Sequence, residues 1–302
     1  MISQRSLDAL RAAMKVMGSA PERAAQVFVL ATQDDPELAD GWLGRYATGE
    51  RTLAVLSKLS ANADRLGEGL SRLQLGPANM GAFFEIEYAR FPIADQITAQ
   101  LAYAAALIAS NEFQQASAIL DRLPADSPET GYVRACLATK TQRWPDVLTA
   151  VGVCTQNPRD TYLARAASLL EAWAAASLGL MQPALQAAQR VIDGKPTSTD
   201  GLGARGVGIK DVLTRDALFC RALVLRYQGE DEESESVLTG IRVQWPDFER
   251  AQVALNDRTF GLEVTDPETI ASRTDKWDAA TGTSRAARDP VSYTHLTLPT
   301  KA

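Results

Sequence analysis

The stretch DTYLARAASLLEAWAAASLGLMQPALQAAQRVIDGKP, residues 160–196, decides the fold. Its first half carries Tyr162, Ala166, Leu169, Leu170 and Trp173 at spacings of three and four, one apolar stripe at the helical period. Gly179 then lets the chain turn without a side chain in the way. Pro183 falls where a first helical turn tolerates proline, since its missing N–H would have had no partner there. A second helix carries Leu185, Ala188, Val191 and Ile192, and Gly194-Lys195-Pro196 stops it. Small residues at Ala172 and Ala184 allow the two backbones to approach closely. This is the outline of a tetratricopeptide unit, a helix–turn–helix of ~34 residues that cannot bury its apolar face alone.

The same frame recurs along the chain: a small residue, a turn position, a small residue in helix two, an apolar residue, then proline. In the deciding stretch it reads Ala172, Gly179, Ala184, Val191, Pro196, and downstream it reads Ala222, Gly229, Ser234, Ile241, Pro246. Upstream it reads Ala104, Asn111, Ala116, Leu123, Pro128, and near the start Ala12, Ser19, Ala24, Ala31, Pro36. A further copy, Ala135, Gln142, Val147, Cys154, has its proline one residue early at Pro158. One match in an alanine-rich chain is chance; a series in order is a repeat. The fold expected is all-α, a tetratricopeptide-like right-handed α-superhelix of about six helical hairpins.

Around this array the pattern changes twice. Over Leu70–Ile93 the helical period stops, and Phe83, Phe84, Ile86, Tyr88 and Phe91 form an aromatic and β-branched run. It predicts a short β-hairpin or finger inserted at about 70–93, with a strand near Ser71–Leu75 pairing Ala82–Tyr88. From Gly261 the apolar period fades, and 261–288 reads as a linker with one short helix after Thr265-Asp266-Pro267-Glu268. The solenoid is thus expected over 1–260. The final segment DPVSYTHLTLPTKA, 289–302, has no helical frame and looks like translated adapter or vector read-through. It holds the only histidine, His295.

Composition narrows the function classes. The chain has 302 residues, 46% of them hydrophobic, with a net charge of −6. No stretch approaches the ~18 apolar residues of a membrane span, and the start, MISQRSLDALRAAMKVMG, is amphipathic rather than a secretory signal. The charge argues against a nucleic-acid surface as the main partner, though a local basic patch is compatible with it. Cys136, Cys154 and Cys220 have no paired spacing, so neither a disulfide framework nor a zinc site is suggested, and a cytoplasmic setting is expected.

Candidate chemistry is sparse. Gly201-Leu202-Gly203-Ala204-Arg205-Gly206 matches the dinucleotide fingerprint, but that fingerprint needs a strand before it and a helix after it. Here it follows a helix and its stop, so it reads as a glycine-rich loop. Glu230-Asp231-Glu232-Glu233 reads as the first turn of a second helix, where the positive dipole end favours carboxylates. With the one histidine in the suspect tail, the usual histidine-based catalytic and metal arrangements are missing. No catalytic, cofactor-binding or metal residue is assigned, and function is expected from the surface. First helices line the concave face of such a solenoid. Counting from the frame places Tyr132, Lys140, Trp173, Ser177, Arg226 and Tyr227 there as partner-binding candidates; Tyr132 and Trp173 serve equally well as packing against the next unit.

Three strings carry a resemblance. Trp42-Leu43-Gly44-Arg45, Arg143-Trp144-Pro145-Asp146-Val147-Leu148 and above all Thr265-Asp266-Pro267-Glu268-Thr269-Ile270-Ala271-Ser272-Arg273-Thr274-Asp275-Lys276-Trp277-Asp278 resemble the EccA family. These are cytosolic ATPases of mycobacterial type VII (ESX) secretion. The resemblance covers about 1–288, with one departure at Lys276, where similar proteins often place proline. It implies a tetratricopeptide domain with a β insertion, followed by a CbxX/CfqX-type AAA+ module. ATP and Mg²⁺ would belong to that module, since this chain has no G-x-x-x-x-G-K-[ST] loop. It further implies binding of secreted substrates or machinery components, regulation of ATP turnover, and a homo-hexameric full-length protein. The rival expectation is a freestanding tetratricopeptide adaptor or regulator.

Overall fold

The computed structural model describes residues 2–156, 161–194 and 212–281. Six helical hairpins follow one another: α1 (Gln4–Val16) with α2 (Pro21–Asp34), then α3 (Ala39–Ala47) with α4 (Leu53–Ala61). After the short α5 (Glu68–Ser71) come α6 (Gln96–Ala109) with α7 (Phe113–Leu120), and α8 (Pro128–Lys140) with α9 (Trp144–Gln156). α10 (Thr161–Ser177) pairs with α11 (Met181–Asp193), and α12 (Val212–Tyr227) with α13 (Asp231–Gln244). α14 (Glu249–Asn256) and α15 (Pro267–Thr281) complete the chain's helices among the described residues. The Gly201–Gly206 motif, Pro158, Pro196 and the tail lie outside the described residues.

Local chemistry explains where the helices begin. Ser3, Thr52, Asp95 and Ser127 each accept the backbone N–H three residues on; each satisfies an otherwise orphaned donor of a first turn. Pro21 and Pro128 occupy first helical positions. Asp231, Glu232 and Glu233 form the first turn of α13, as the dipole argument expects.

The frame has a physical basis in four hairpins. Its turn position is left-handed at Asn111 (φ 62°), Gln142 (φ 54°), Gly179 (φ 76°) and Gly229 (φ 86°). In each, that residue's N–H reaches three residues back while the next N–H reaches five back, as in Gly229 to Arg226 and Glu230 to Leu225. This is the Schellman closure, which uses the last orphaned carbonyls of the first helix. The flanking small residues are fully buried: Ala104 with Ala116, Ala172 with Ala184, and Ala222 with Ser234. Ser234 is the polar member, and its hydroxyl donates to the Ala222 carbonyl at 2.8 Å.

The first copy corrects the expectation by one residue. Ala12 is exposed and Ala13 is buried. The α1–α2 turn occupies 17–20, where the other turns occupy 110–112, 141–143, 178–180 and 228–230. Ser19 is not left-handed, so this hairpin closes differently and presents a rotated face.

The β insertion is present with a different pairing. β1 (Phe83–Ile86) pairs antiparallel with β2 (Ala89–Pro92), in the register Phe83 to Pro92 and Ile86 to Ala89. Residues 71–75 form no strand. The aromatic run contains its own two-residue turn, Glu87-Tyr88, with Glu87 at φ 47°. Upstream, the Asp40 carboxylate holds the amides of Gly67, Gly69 and Leu70 and fixes that stretch as a helical turn.

One hydrophobic core runs from Leu10 in α1 to Val224 in α12, and a second cluster around Phe219, Leu238, Ile241 and Trp245 extends it to α14. Within it, α6 packs on α8, α8 on α10 and α10 on α12. First helices therefore form a continuous inner row. Gly44 shows how tightly the array closes: a Cβ there would lie 2.3 Å from the Phe28 ring.

Candidate functional site

The inner row is the surface on which a solenoid presents a partner groove. Here the β-hairpin lies on it. β1 contacts α6 and β2 contacts α10, and Phe84, Ile86, Ala89 and Phe91 are buried. At the hairpin tip, the Tyr88 amide donates to the Tyr132 hydroxyl at 3.4 Å, and the Tyr88 hydroxyl donates to Asp216 Oδ2 on α12 at 2.9 Å. Burial, reinforced by the Asp216 carboxylate, pushes the Tyr88 phenol far above its usual range. It stays a neutral donor at any physiological pH. Lys140 Nζ meets Glu87 Oε1 at 2.7 Å.

A second self-contact closes the turn edge. After α14, Arg226 Nη1 donates to the carbonyls of Ala254 (2.7 Å) and Phe260 (3.1 Å). The chain then runs back past the turns. Thr265 N–H donates to the Ser177 carbonyl at 2.8 Å, and Trp144 Nε1 donates to Thr265 Oγ1 at 3.1 Å. Asp266 caps α15 by accepting from the Thr269 amide at 2.8 Å. Further along α15, the Arg143 guanidinium lies 4.2 Å from the centre of the Trp277 ring. Arg143 is itself buried and ion-paired with Asp146. So 257–281 is a strap from the sixth hairpin back past the fourth to the third, where α15 packs on α7, and the segment read as a linker carries a docked fifteen-residue helix.

These contacts locate the six residues placed on the concave face. Tyr132 is fully buried beneath the hairpin, with its ring centroid 6.0 Å from that of Phe91. Lys140 is exposed along its stem and paired at its head with Glu87. Trp173 packs on Phe219 at 6.3 Å, with the Arg250 guanidinium 5.9 Å from its ring. Ser177 and Arg226 hold the strap. Tyr227 is 55% exposed. The structure thus divides them into a hairpin pair, a packing residue, a strap pair and one open side chain. Asp40, a structural anchor missed by sequence reasoning, left no local signal, because its three backbone partners lie far along the chain.

The three resembling strings also find their places. Trp42, Gly44 and Arg45 lie in α3, where Arg45 stacks 4.5 Å from the Trp42 ring and pairs with Glu50 at 2.6 Å. The other two strings meet each other, Arg143 against Trp277 and Trp144 against Thr265. No helix among the described residues is long and apolar enough to cross a membrane, and no group of metal-ligating residues occurs among them.

Comparison with known proteins agrees with this geometry. The family model described as T7SS, ESX-1 secretion system protein EccA1, N-terminal domain, matches residues 3–283. The chain is 32% identical over 285 residues to the ESX-5 secretion system protein EccA5 of Mycobacterium tuberculosis H37Rv, covering 91% of this chain and 44% of that protein. It is 34% identical over 284 residues to the ESX-2 secretion system protein EccA2 of the same organism, covering 87% and 44%. The chain therefore spans less than half the length of these relatives. The crystal structure of the N-terminal domain of the EccA1 ATPase from the ESX-1 secretion system of Mycobacterium tuberculosis superposes with a TM-score of 0.75 at 23% identity, over 92% of this chain and 97% of that one. At that identity the likeness speaks for the fold. With family match, relatives and fold in agreement, the chain belongs to the family of EccA N-terminal domains of type VII (ESX) secretion systems.

Proposed function

We propose that this chain is the protein-interaction arm of an ESX secretion AAA+ ATPase, recruiting secreted substrates or machinery components and restraining ATP turnover in the intact motor. The observation that carries the reading is the strap. Thr265 and Trp277 are tied to the turn edge at Ser177, Trp144 and Arg143. Whatever is joined after the strap then moves with the solenoid rather than swinging freely from it, which is the coupling a recruiting arm needs.

In the same reading, ATP and Mg²⁺ act in a following module, the full-length protein forms a homo-hexamer, and the site of action is the cytoplasm. The hairpin gives recruitment a shape. With the middle of the inner face filled by Phe84, Phe91 and Tyr88, a partner meets the open Tyr227 end or the outer surface unless it displaces the hairpin.

The test is co-purification. The tagged full chain is co-expressed with the proteins exported by one ESX system, beside an unrelated tagged solenoid. Selective recovery of an exported protein or a machinery component supports the role, and recovery no better than the control overturns it. Regulation is tested separately: in a protein of the relatives' length, Trp277→Ala is expected to change ATP turnover, and an unchanged rate overturns the restraint.

A further inference from the structure

A cleft on the opposite end of the molecule from Tyr227 brings cations and apolar side chains together. It lies between α1 and the wall formed by 72–75, with a volume of about 380 Å³. It is lined by the apolar Met14, Leu73 and Leu75, the cations Arg11, Lys15 and Arg72, and Gln74.

The wall is built rigidly. Asp40 Oδ1 accepts the Gly67 amide at 2.7 Å, and Oδ2 accepts Gly69 at 2.7 Å and Leu70 at 3.0 Å. Beyond α5 the chain closes at Gln74, φ 60°, with the Leu75 amide on the Leu70 carbonyl at 3.0 Å and the Gln74 amide on the Ser71 carbonyl at 3.0 Å. The two leucines are thereby held in place: like Met14 they pack against the core on one side and stay partly exposed on the other.

The charges are available. Arg11 lies 3.3 Å from Asp8, and Arg72 lies 3.6 Å from Glu68, which also serves Arg65. Exposed pairs of this kind contribute little and exchange readily. Lys15 has no carboxylate partner among the described residues; it sits in the last turn of α1, against the helix carbonyl end. Three cations beside apolar side chains do not suit a nucleic acid, which needs a longer track of phosphate contacts and gains nothing from leucines. They suit a carboxylate-bearing chain with an apolar anchor.

We infer that this cleft binds an acidic peptide segment that inserts an apolar side chain onto Met14, Leu73 and Leu75 while its carboxylates pair with Arg11, Lys15 and Arg72. This rests on the recruiting role proposed above and names the chemistry of the segment recruited. The anchor supplies burial and the charges supply orientation and encounter rate.

The test uses the full chain and three short fluorescein-labelled peptides, read by anisotropy at low and moderate salt. One alternates glutamate and leucine, one replaces its glutamates by lysine, and one replaces its leucines by serine. The first is expected to bind, with affinity falling as salt rises, and the other two to bind at least about tenfold more weakly, the ratio that 1.4 kcal/mol gives. Lys15→Glu and the triple variant Arg11→Glu/Lys15→Glu/Arg72→Glu are expected to weaken the first peptide progressively, by about tenfold or more in the triple variant. All three positions are exposed, and unchanged circular dichroism checks the fold. Lys15→Gln provides a milder variant if the triple one fails that check. Equal binding of the lysine peptide, equal binding of the serine peptide, or no effect of the variants overturns the inference. Self-association of the chain that the same variants abolish assigns the cleft to a second copy and also overturns it. If the triple variant still captures ESX proteins in co-purification, only the cleft assignment fails; if the unmodified chain captures none, the recruiting role fails.

Discussion

Replacing Asp40 by asparagine exchanges one carboxylate oxygen for an NH₂ group at a buried polar contact. The side chain is fully buried and accepts three backbone amides, one on Oδ1 and two on Oδ2. Asparagine can keep its oxygen on the Gly69 and Leu70 amides, and then turns an NH₂ group toward the Gly67 N–H, donor against donor. One charge-assisted hydrogen bond is lost, roughly 1.5–3 kcal/mol, and a buried donor is left unpaired. Relief of carboxylate burial offsets part of this, so the net cost is about 1–3 kcal/mol, concentrated at α5. Hydrogen exchange resolves it: the amides of Gly67, Gly69 and Leu70 should exchange faster, by roughly tenfold for each 1.4 kcal/mol. Unchanged exchange there would refute the anchoring argument. Because α5 carries the wall of the basic cleft, the same variant should weaken the glutamate–leucine peptide without touching the rim.

Asp40 also has a pH signature. Burial, the largest cause, holds its carboxyl above the ordinary 3.8, against the pull of the three amides, with Glu68 adding to the rise. The folded state therefore binds this proton more tightly than the unfolded chain does. Its contribution to stability is fully present below 3.8 and is lost as pH rises through the raised folded value. Asp34, Asp257 and Asp266 are lowered by their hydrogen bonds and act in the opposite sense. The difference between wild type and Asp40→Asn isolates the Asp40 component: wild type should lose ground relative to the variant as pH rises through that window. A pH-independent difference contradicts the assignment.

The left-handed turns give a pair of opposed predictions. Gly229 has φ 86° and open space around its missing side chain, so Gly229→Ala should cost about 1 kcal/mol through backbone conformation alone. Gln142, at φ 54°, should gain about 0.5–1 kcal/mol on replacement by glycine; denaturant titration compares both with wild type. Trp277→Ala removes the ring beneath Arg143, at a cost of about 1–2 kcal/mol, and should speed exchange over α15 while α6 is unchanged. Tyr88→Phe removes the donor to Asp216, at about 0.5–1.5 kcal/mol, and should loosen the hairpin amides without unfolding the array.

The repeat was legible because one spacing controls both backbone and packing. Gly179 and Gly229 announce their conformation by residue type; Asn111 and Gln142 do so only by position in the frame. The first copy slipped by one residue because the 17–20 turn closes without a left-handed residue, and nothing in Ala12-Ala13 distinguishes the buried alanine from the exposed one. The hairpin's aromatics were legible, but the turn inside them was not, since Glu87-Tyr88 carries none of the usual turn residues. Inner-row positions followed from helical periodicity. What fills them did not: Tyr132 and Lys140 are met by residues 44 and 53 positions upstream, and Ser177 and Arg226 by the strap. Asp40 was invisible for the same reason, its partners lying 27 to 30 residues away. Family resemblance gathered Arg143-Trp144 and Thr265–Asp278 as separate strings, and their mutual contact explains why the two belong together.

Under the function proposed above, this solenoid recruits proteins of an ESX system. The most direct test is isothermal titration of the full chain with a purified exported protein recovered from the co-purification, beside a non-exported protein of equal charge. Saturable binding to the exported protein alone is expected, weakened at least about tenfold by Arg11→Glu/Lys15→Glu/Arg72→Glu. Absence of heat with every exported protein, or equal binding of the control, would contradict it.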